Sequence, residues 1–267
     1  MPRANRHFVP GHVWHITHRC HQQAFLLKFA RDRDRYLHWL FEAKKRFGLC
    51  VLNYIITCNH VHLLVLDTGD HVIGRSMQLI AGRSAQEYND RKNRRGAFWE
   101  DRYHATAVET DGHLQRCLVY IDLNMVRAGV VNHPAQWPHA GYGGIQAPRA
   151  RYSIIADAKL ASLCGFPDLD AFQTAHRQWV QESLENGSMK RDERWSAAVA
   201  VGSSDFVDRM RSELGLRALH RTITTLDDMS VLRERSQAYG IDMDRETGPL
   251  RPENTVVWDQ TFEDSRG

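Results

Sequence analysis

No stretch of these 267 residues is apolar for long enough to span a bilayer, and no leader of basic, apolar and small residues opens the chain. The expectation is a cytoplasmic protein with no membrane partner. Cysteine is scarce: Cys20, Cys50, Cys58, Cys117 and Cys164 form no Cys-x-x-Cys, their number is odd, and three lie in apolar runs. That pattern argues for reduced thiols and against a disulfide framework or a structural zinc site. No internal repeat is present, which sets aside a repeat architecture. Charge of one sign is lacking overall, with 35 basic residues against 32 acidic for a net +3. What remains, 42% hydrophobic and 25% charged, describes one fair-sized globular domain with room for a smaller one.

The balance conceals an asymmetry. Residues 1–150 hold 20 Lys and Arg against 12 Asp and Glu, whereas residues 151–267 hold 15 against 20. An excess of +8 in the first half favours a polyanionic partner, although many proteins that bind no nucleic acid are as basic.

Within the basic half, residues 49–67 read as two strands joined at Thr57-Cys58-Asn59. Side chains alternate across a strand, so His60 and His62 point to one face and Val61 to the other, and the two imidazoles can converge on one metal ion. Leu63, Leu64, Val65 and Leu66 then make both faces apolar, as in a strand covered on both sides, which leaves the histidine end as a candidate active site. A structural pair at a sheet rim would carry the same local sequence.

A second element begins at Asp111, an N-cap for a helix predicted to run to Ala128 with Gly129 just past its end. Leu114, Cys117, Leu118, Ile121 and Met125 share one side, and Arg116, Tyr120, Asn124 and Arg127 line the other. A merely solvated face would more usually carry Lys and Glu. A phenol, an amide and two guanidiniums on one stripe suit the handling of phosphate.

Two stretches, Tyr54-Ile-Ile-Thr-Cys-Asn-His-Val-His-Leu-Leu-Val65 and Tyr120-Ile-Asp-Leu-Asn-Met-Val-Arg-Ala-Gly129, resemble the signatures of the single-tyrosine HUH transposases, in particular the REP-associated tyrosine transposases. The resemblance extends to Pro10-Gly-His-Val-Trp-His-Ile-Thr-His-Arg19, Tyr88-Asn89, Gly96-Ala-Phe-Trp-Glu-Asp-Arg102 and Trp137-Pro138, covering about residues 8–145. Cys58 stands where that family usually has proline before Asn-His, and Met125 where it has proline after the helix asparagine. Neither replaces a reacting group; the second lets the helix continue past Asn124.

The resemblance implies an α+β, ferredoxin-like HUH fold with Tyr120 as catalytic nucleophile and His60, His62 and Asn124 as ligands of a divalent metal ion, Mg²⁺ or Mn²⁺. A tyrosine attacking a phosphodiester is repelled by the non-bridging charge, so a cation belongs on the phosphate. Two imidazole nitrogens and an amide oxygen suit Mn²⁺ well and Mg²⁺ acceptably. The implied reaction is cleavage of single-stranded or hairpin DNA, such as REP elements, to a 5′-phosphotyrosine and a free 3′-hydroxyl, followed by rejoining. One motif and one nucleophile per chain leave a monomer or a homodimer open. Three alternatives stand beside it. A replication initiator or relaxase would share the metal pair and tyrosine, but nothing here resembles a helicase domain. A non-catalytic DNA-binding regulator is disfavoured by the intact His60, His62, Tyr120 and Asn124. A metal hydrolase with His-x-His on a barrel strand lacks its further ligands.

In chain order, residues 12–20 alternate as a first strand. His12, His15, His18 and His21 recur every third residue, but on a strand that period scatters them over opposite faces, so no metal cluster is expected there. Helices are predicted over 32–47, ended by Gly48, and over 72–91, with a fourth strand over 103–109. Arg91, Lys92, Arg94 and Arg95 read either as a solvated cluster or, beside Phe98 and Trp99, as contacts to single-stranded DNA; Arg102, Arg116 and Arg127 join them as candidate DNA-binding residues. This order gives an antiparallel sheet with helices largely on one face. Residues 1–148 are expected as the transposase-like domain. Residues 149–244 follow as a small helical C-terminal extension, with helices over 154–163, 169–184 and 203–216, which either helps to grip hairpins or caps the sheet's other face. Residues 245–267 are expected as a disordered tail.

Overall fold

The apolar, β-branched runs of the first half build the centre of the molecule. The computed structural model describes residues 8–110, 112–187, 192–218, 221–226 and 229–234. Four strands, β1 (Val13–Arg19), β2 (Cys50–Ile56), β3 (His60–Leu66) and β4 (His104–Val108), alternate with α1 (Ala30–Phe47) and α2 (Val72–Arg91) as the sequence predicts. After β4 come α3 (Gly112–Asp122), α4 (Asn124–Arg127), α5 (Gly141–Gln146), α6 (Asp157–Leu163), α7 (Leu169–Glu185), α8 (Arg194–Ala197), β5 (Ala200–Gly202) and α9 (Ser204–Leu214). A hairpin of β6 (Arg221–Leu226) and β7 (Met229–Glu234) completes the described elements.

These seven strands form one sheet in the order β2-β3-β1-β4-β5-β7-β6, antiparallel except where β5 runs parallel to β4. Its β2-β3-β1-β4 half has the strand order of the ferredoxin-like motif, within a mixed α+β fold. The central pair is β3 and β1, whose register sets Thr17 opposite His62 and Arg19 opposite His60. Val61 and residues Leu63 to Leu66 are buried, so β3 is covered on both sides except at its histidine end.

Helices cover both faces, not largely one. On β1 the alternation sends His15 and Thr17 to one side and Ile16 and His18 to the other. His15 lies edge-on to Tyr120 of α3, whereas His18 stacks on Trp99, which in turn meets Tyr36 of α1. A central strand apolar on both sides requires cover on both. Tyr36, Leu40 and Ala43 supply the buried stripe of α1, and Gly48 ends that helix in the left-handed conformation (φ 75°).

The helix predicted through Ala128 is broken. α3 ends at Asp122, Leu123 departs from helical geometry (ψ 4°), and α4 restarts at Asn124. The Arg127 guanidinium donates to the carbonyl of Tyr120 at 2.5 Å, the acceptor that an unbroken helix would offer to the Asn124 amide. The apolar side is as predicted, with Leu114, Cys117, Leu118, Ile121 and Met125 buried, and Gly129 follows the end at φ 67°. The expected cap, Asp111, lies outside the described residues.

The extension contributes α6, α7 and α9 at or near the predicted places, and besides them the unpredicted α8 and three strands. Three residues of β5 are too few to show alternation. The Thr222-Ile223-Thr224-Thr225 run of β6 does carry a β-branched strand signal. The tail over 245–267 lies outside the described residues.

Candidate active site

A tight turn aims the first histidine. The backbone N–H and hydroxyl of Thr57 both donate to the carbonyl of His60 (2.9 and 2.8 Å), and the Thr57 oxygen accepts from the His60 N–H at 3.1 Å. The ring is fixed through the same groups: His60 Nδ1 lies 3.0 Å from the Thr57 hydroxyl and 2.8 Å from Asn59 Oδ1. His62 is fixed by the neighbouring strand, its Nδ1 lying 2.9 Å from His15 Nε2 and 3.2 Å from Thr17 Oγ1. The His60 and His62 rings meet edge to face at 5.0 Å between centroids. Since both are held through Nδ1, any metal would have to be met through Nε2.

Tyr120 closes the cleft from above. Its ring is 5.9 Å from that of His62 and 6.0 Å from that of His15, with Trp195 beside it at 6.2 Å. The Arg127 guanidinium lies over the ring, 4.4 Å from the centroid, close enough for a cation–π contact. His60, His62, Tyr120, Asn124 and Arg127 line one cavity of about 300 Å³, together with Thr17, Arg19 and Asn59. Four of the residues singled out for chemistry are therefore brought together with one of the predicted arginines.

Electrostatics favour the neutral imidazoles that bind metals. Burial depresses His62 well below the usual histidine range, and the neighbouring His15, His60, Arg127 and Arg19 push it the same way. Burial also lowers His15 to about 4, partly offset by its bond to the Trp195 carbonyl. Among the described residues no three His, Cys, Asp or Glu side chains gather at a metal-holding distance, so a third protein donor here would be the amide of Asn124.

Residues 9–124 match the model of the transposase family described as IS200-like. The match ends at Asn124 and spans both histidines and Tyr120. No curated protein matches the chain. Two solved structures are similar to parts of it. One, a REP-associated tyrosine transposase bound to a REP hairpin, is 18% identical with a TM-score of 0.47, over 55% of this chain and 87% of its own. The other, a candidate transposase of Deinococcus radiodurans R1, is 19% identical with a TM-score of 0.31, over 39% of this chain and 83% of its own. No helix among the described residues is long and apolar enough to cross a membrane.

The remaining predicted DNA contacts of the IS200-like region lie elsewhere. Arg116 is exposed and lines an adjoining cleft with Tyr120, Arg127 and Trp179. Arg102 lies across the sheet, in a groove with His18, Trp99 and Tyr103. At the end of α2, Arg91 pairs with Asp32 and covers the Tyr88 ring, while Arg94 bonds Asn89 and the Ala97 carbonyl and so holds its own loop. Lys92 and Arg95 are exposed.

Sequence reasoning passed over His15, Thr17 and Trp195. The alternation that scatters the period-three histidines also sends His15 and Thr17 to the His62 side, so parity along β1 was the available signal. Trp195 had none, since α8 is four residues long and reaches the site only through tertiary packing. The extension also fastens the tyrosine helix from behind. His176 of α7 donates from Nε2 to Asp122 at 2.7 Å, and Asn53 donates to the other carboxylate oxygen at 3.0 Å. Asn53 leaves no room beside it: a Cβ on Gly141 would stand 2.2 Å from its Oδ1.

Proposed function

We propose that this protein cuts and rejoins single-stranded or hairpin DNA, with Tyr120 as nucleophile and a divalent ion, Mn²⁺ or Mg²⁺, held by His60, His62 and Asn124. The observation that carries this reading is the meeting, in one cavity, of a phenol, two imidazoles each anchored through Nδ1, and an amide four residues from the phenol. The donor set fits such an ion: two neutral nitrogens and one amide oxygen, with room for phosphate oxygens and water. When bound, the ion would neutralise charge on the scissile phosphate.

The Tyr120 oxygen forms a bond to phosphorus as the bond to the 3′ oxygen breaks; the phenol loses its proton and the departing 3′ oxygen gains one. The products are a 5′-phosphotyrosine and a 3′-hydroxyl. Attack by another strand's 3′-hydroxyl reverses the step and rejoins DNA, and no external energy is needed because the ester is conserved. Contacts with His15, His62, Trp195 and Arg127 restrict the Tyr120 ring, so little freedom is lost when it attacks. Arg127 also places positive charge where negative charge develops on the phenol. Arg19 and Arg127 in the cavity, and Arg116 beside it, suit the flanking phosphates. Because Tyr120 and the histidines come from one chain, a monomer would suffice, with cleavage in cis. The match of residues 9–124 to the model of a transposase family supports DNA transposition as the use of this chemistry.

Incubation of the purified protein with a 3′-labelled hairpin oligonucleotide and Mn²⁺ tests the reading. A covalent band that requires the metal, with the 5′-phosphate mapped by mass spectrometry to the peptide containing Tyr120, is expected. Binding without any covalent band would favour a non-catalytic regulator.

A further inference from the structure

The C-terminal extension reaches the cavity without lining it. The carbonyls of Trp195 and Ala198 lie over the His62 side of the sheet and meet His15 of β1 and His104 and Thr106 of β4 there. His15 Nδ1 meets the Trp195 carbonyl at 2.7 Å, and Thr106 and His104 meet that of Ala198 at 2.7 Å each. A carbonyl can only accept, so the proton of His15 is on Nδ1. A neutral imidazole then has only a lone pair on Nε2, and the group 2.9 Å from that lone pair, His62 Nδ1, has to be the donor. His62 in turn carries its lone pair on Nε2, the nitrogen not engaged with β1. His15 is 0% exposed and His62 3% exposed, so neither ring exchanges these partners for water.

We infer that the Trp195 carbonyl, acting through His15, fixes His62 in the Nδ1–H tautomer and thereby presents Nε2 as a metal donor. His15 is a positioning residue and touches neither metal nor DNA. The role of the tautomer rests on the metal reading above; its existence does not. It also gives the extension a part in the site that neither of its expected roles, gripping hairpins or capping the sheet, contained. A backbone carbonyl does this as well from any side chain at position 195, so the signal is invisible in the residue type.

The tautomer is read directly from two-bond ¹⁵N–¹H spectra of the metal-free full chain labelled at histidine. His62 is expected to show a protonated Nδ1 and a bare Nε2. A proton on Nε2 in the wild type would overturn the inference, whatever the protein does with metal. His15→Leu removes the acceptor while keeping an apolar body. It should lose the tautomer preference and weaken Mn²⁺ binding, measured by calorimetry with Mn²⁺ alone, by about 10–100-fold. His15→Gln, which restores an acceptor near the Nε2 position, should recover most of that loss. Unchanged Mn²⁺ affinity in folded His15→Leu overturns the positioning role. Should that variant fail to fold, the wild-type spectrum still decides. A wild-type chain with the expected tautomer but no Mn²⁺ binding would instead overturn the metal reading, and the role built on it.

Discussion

Histidine does opposite work in two regions of this chain. In the IS200-like region His60 and His62 are gripped through Nδ1 and line a cavity of about 300 Å³. In the extension His176 is sealed at 0% exposure, with Nε2 on Asp122 and Nδ1 receiving the amide of Gln146 at 2.8 Å. Gln146 itself is oriented because its oxygen accepts from Arg177. An imidazole with both nitrogens engaged is a fastener. His60 and His62, gripped through Nδ1 beside a cavity, serve a site instead, and their neighbours in the fold decide which nitrogen is gripped. The proposed reacting groups thus come from one region, and parts that hold them still, Trp195 behind His15 and His176 behind Asp122, come from the other.

The sharpest break between the regions should come at Tyr120. Tyr120→Phe removes one oxygen and keeps the ring among His15, His62 and Trp195. Covalent adduct formation is expected to fall by about 10⁴-fold or more, as for loss of other nucleophiles, with hairpin binding retained. An adduct persisting in the Phe variant, or mapped to Tyr54, Tyr88 or Tyr103, would remove the chemistry from the cavity. Next in size, His60→Ala or His62→Ala should abolish metal-dependent cleavage while hairpin affinity changes little, because affinity comes mainly from phosphate contacts. Wild-type cleavage rates in either would end the metal assignment.

Much of this contrast was legible in the residues. Alternation set His60 and His62 on one face, and helical spacing aligned Tyr120, Asn124 and Arg127, all of which line the cavity. Local patterns report local geometry, and those elements are local. The break at Leu123 was missed because its partner interaction is a side chain reaching back seven residues, Arg127 to the Tyr120 carbonyl. The Asp122–His176 pair joins residues 54 apart in sequence, and the Trp195–His15 bond joins residues 180 apart. Neither is visible to periodicity. The strands of the extension lie between these cases, since β6 had β-branched residues on show while β5 is strand only because β4 and β7 flank it.

The fastening role of the second region is tested by stability, not cleavage. His176→Ala leaves Asp122 buried with Asn53 as its remaining side-chain partner, and should cost roughly 3 kcal/mol in chemical denaturation. Cleavage per folded molecule should drop far less than in the His62 variant. If instead stability is unchanged and cleavage collapses, His176 belongs with the chemistry and the contrast fails. Gly141→Ala presses a methyl group against Asn53, and a loss of about 1–3 kcal/mol is expected in the same measurement. A neutral result would mean that α5 can shift away from β2 without disturbing the Asn53–Asp122 bond.

The smallest effect should come from the basic turn after α2, where the contrast between chemistry and fastening recurs within one short segment. Neutralising Arg91, Lys92, Arg94 and Arg95 together would mix two consequences, because Arg91 is bound to Asp32 and Arg94 to its own loop. Lys92 and Arg95 are exposed and separate the two. If both contact phosphates, Lys92→Ala with Arg95→Ala should reduce the slope of log affinity against log salt by about 0.7 for each lost single-strand contact, with unfolding unaffected. Arg91→Ala should do the reverse, destabilising the fold through the abandoned Asp32, which is 6% exposed, while leaving the slope nearly unchanged. An unaltered slope in the double variant would assign the whole turn to solvent and structure, and confine DNA contacts to the arginines around Tyr120.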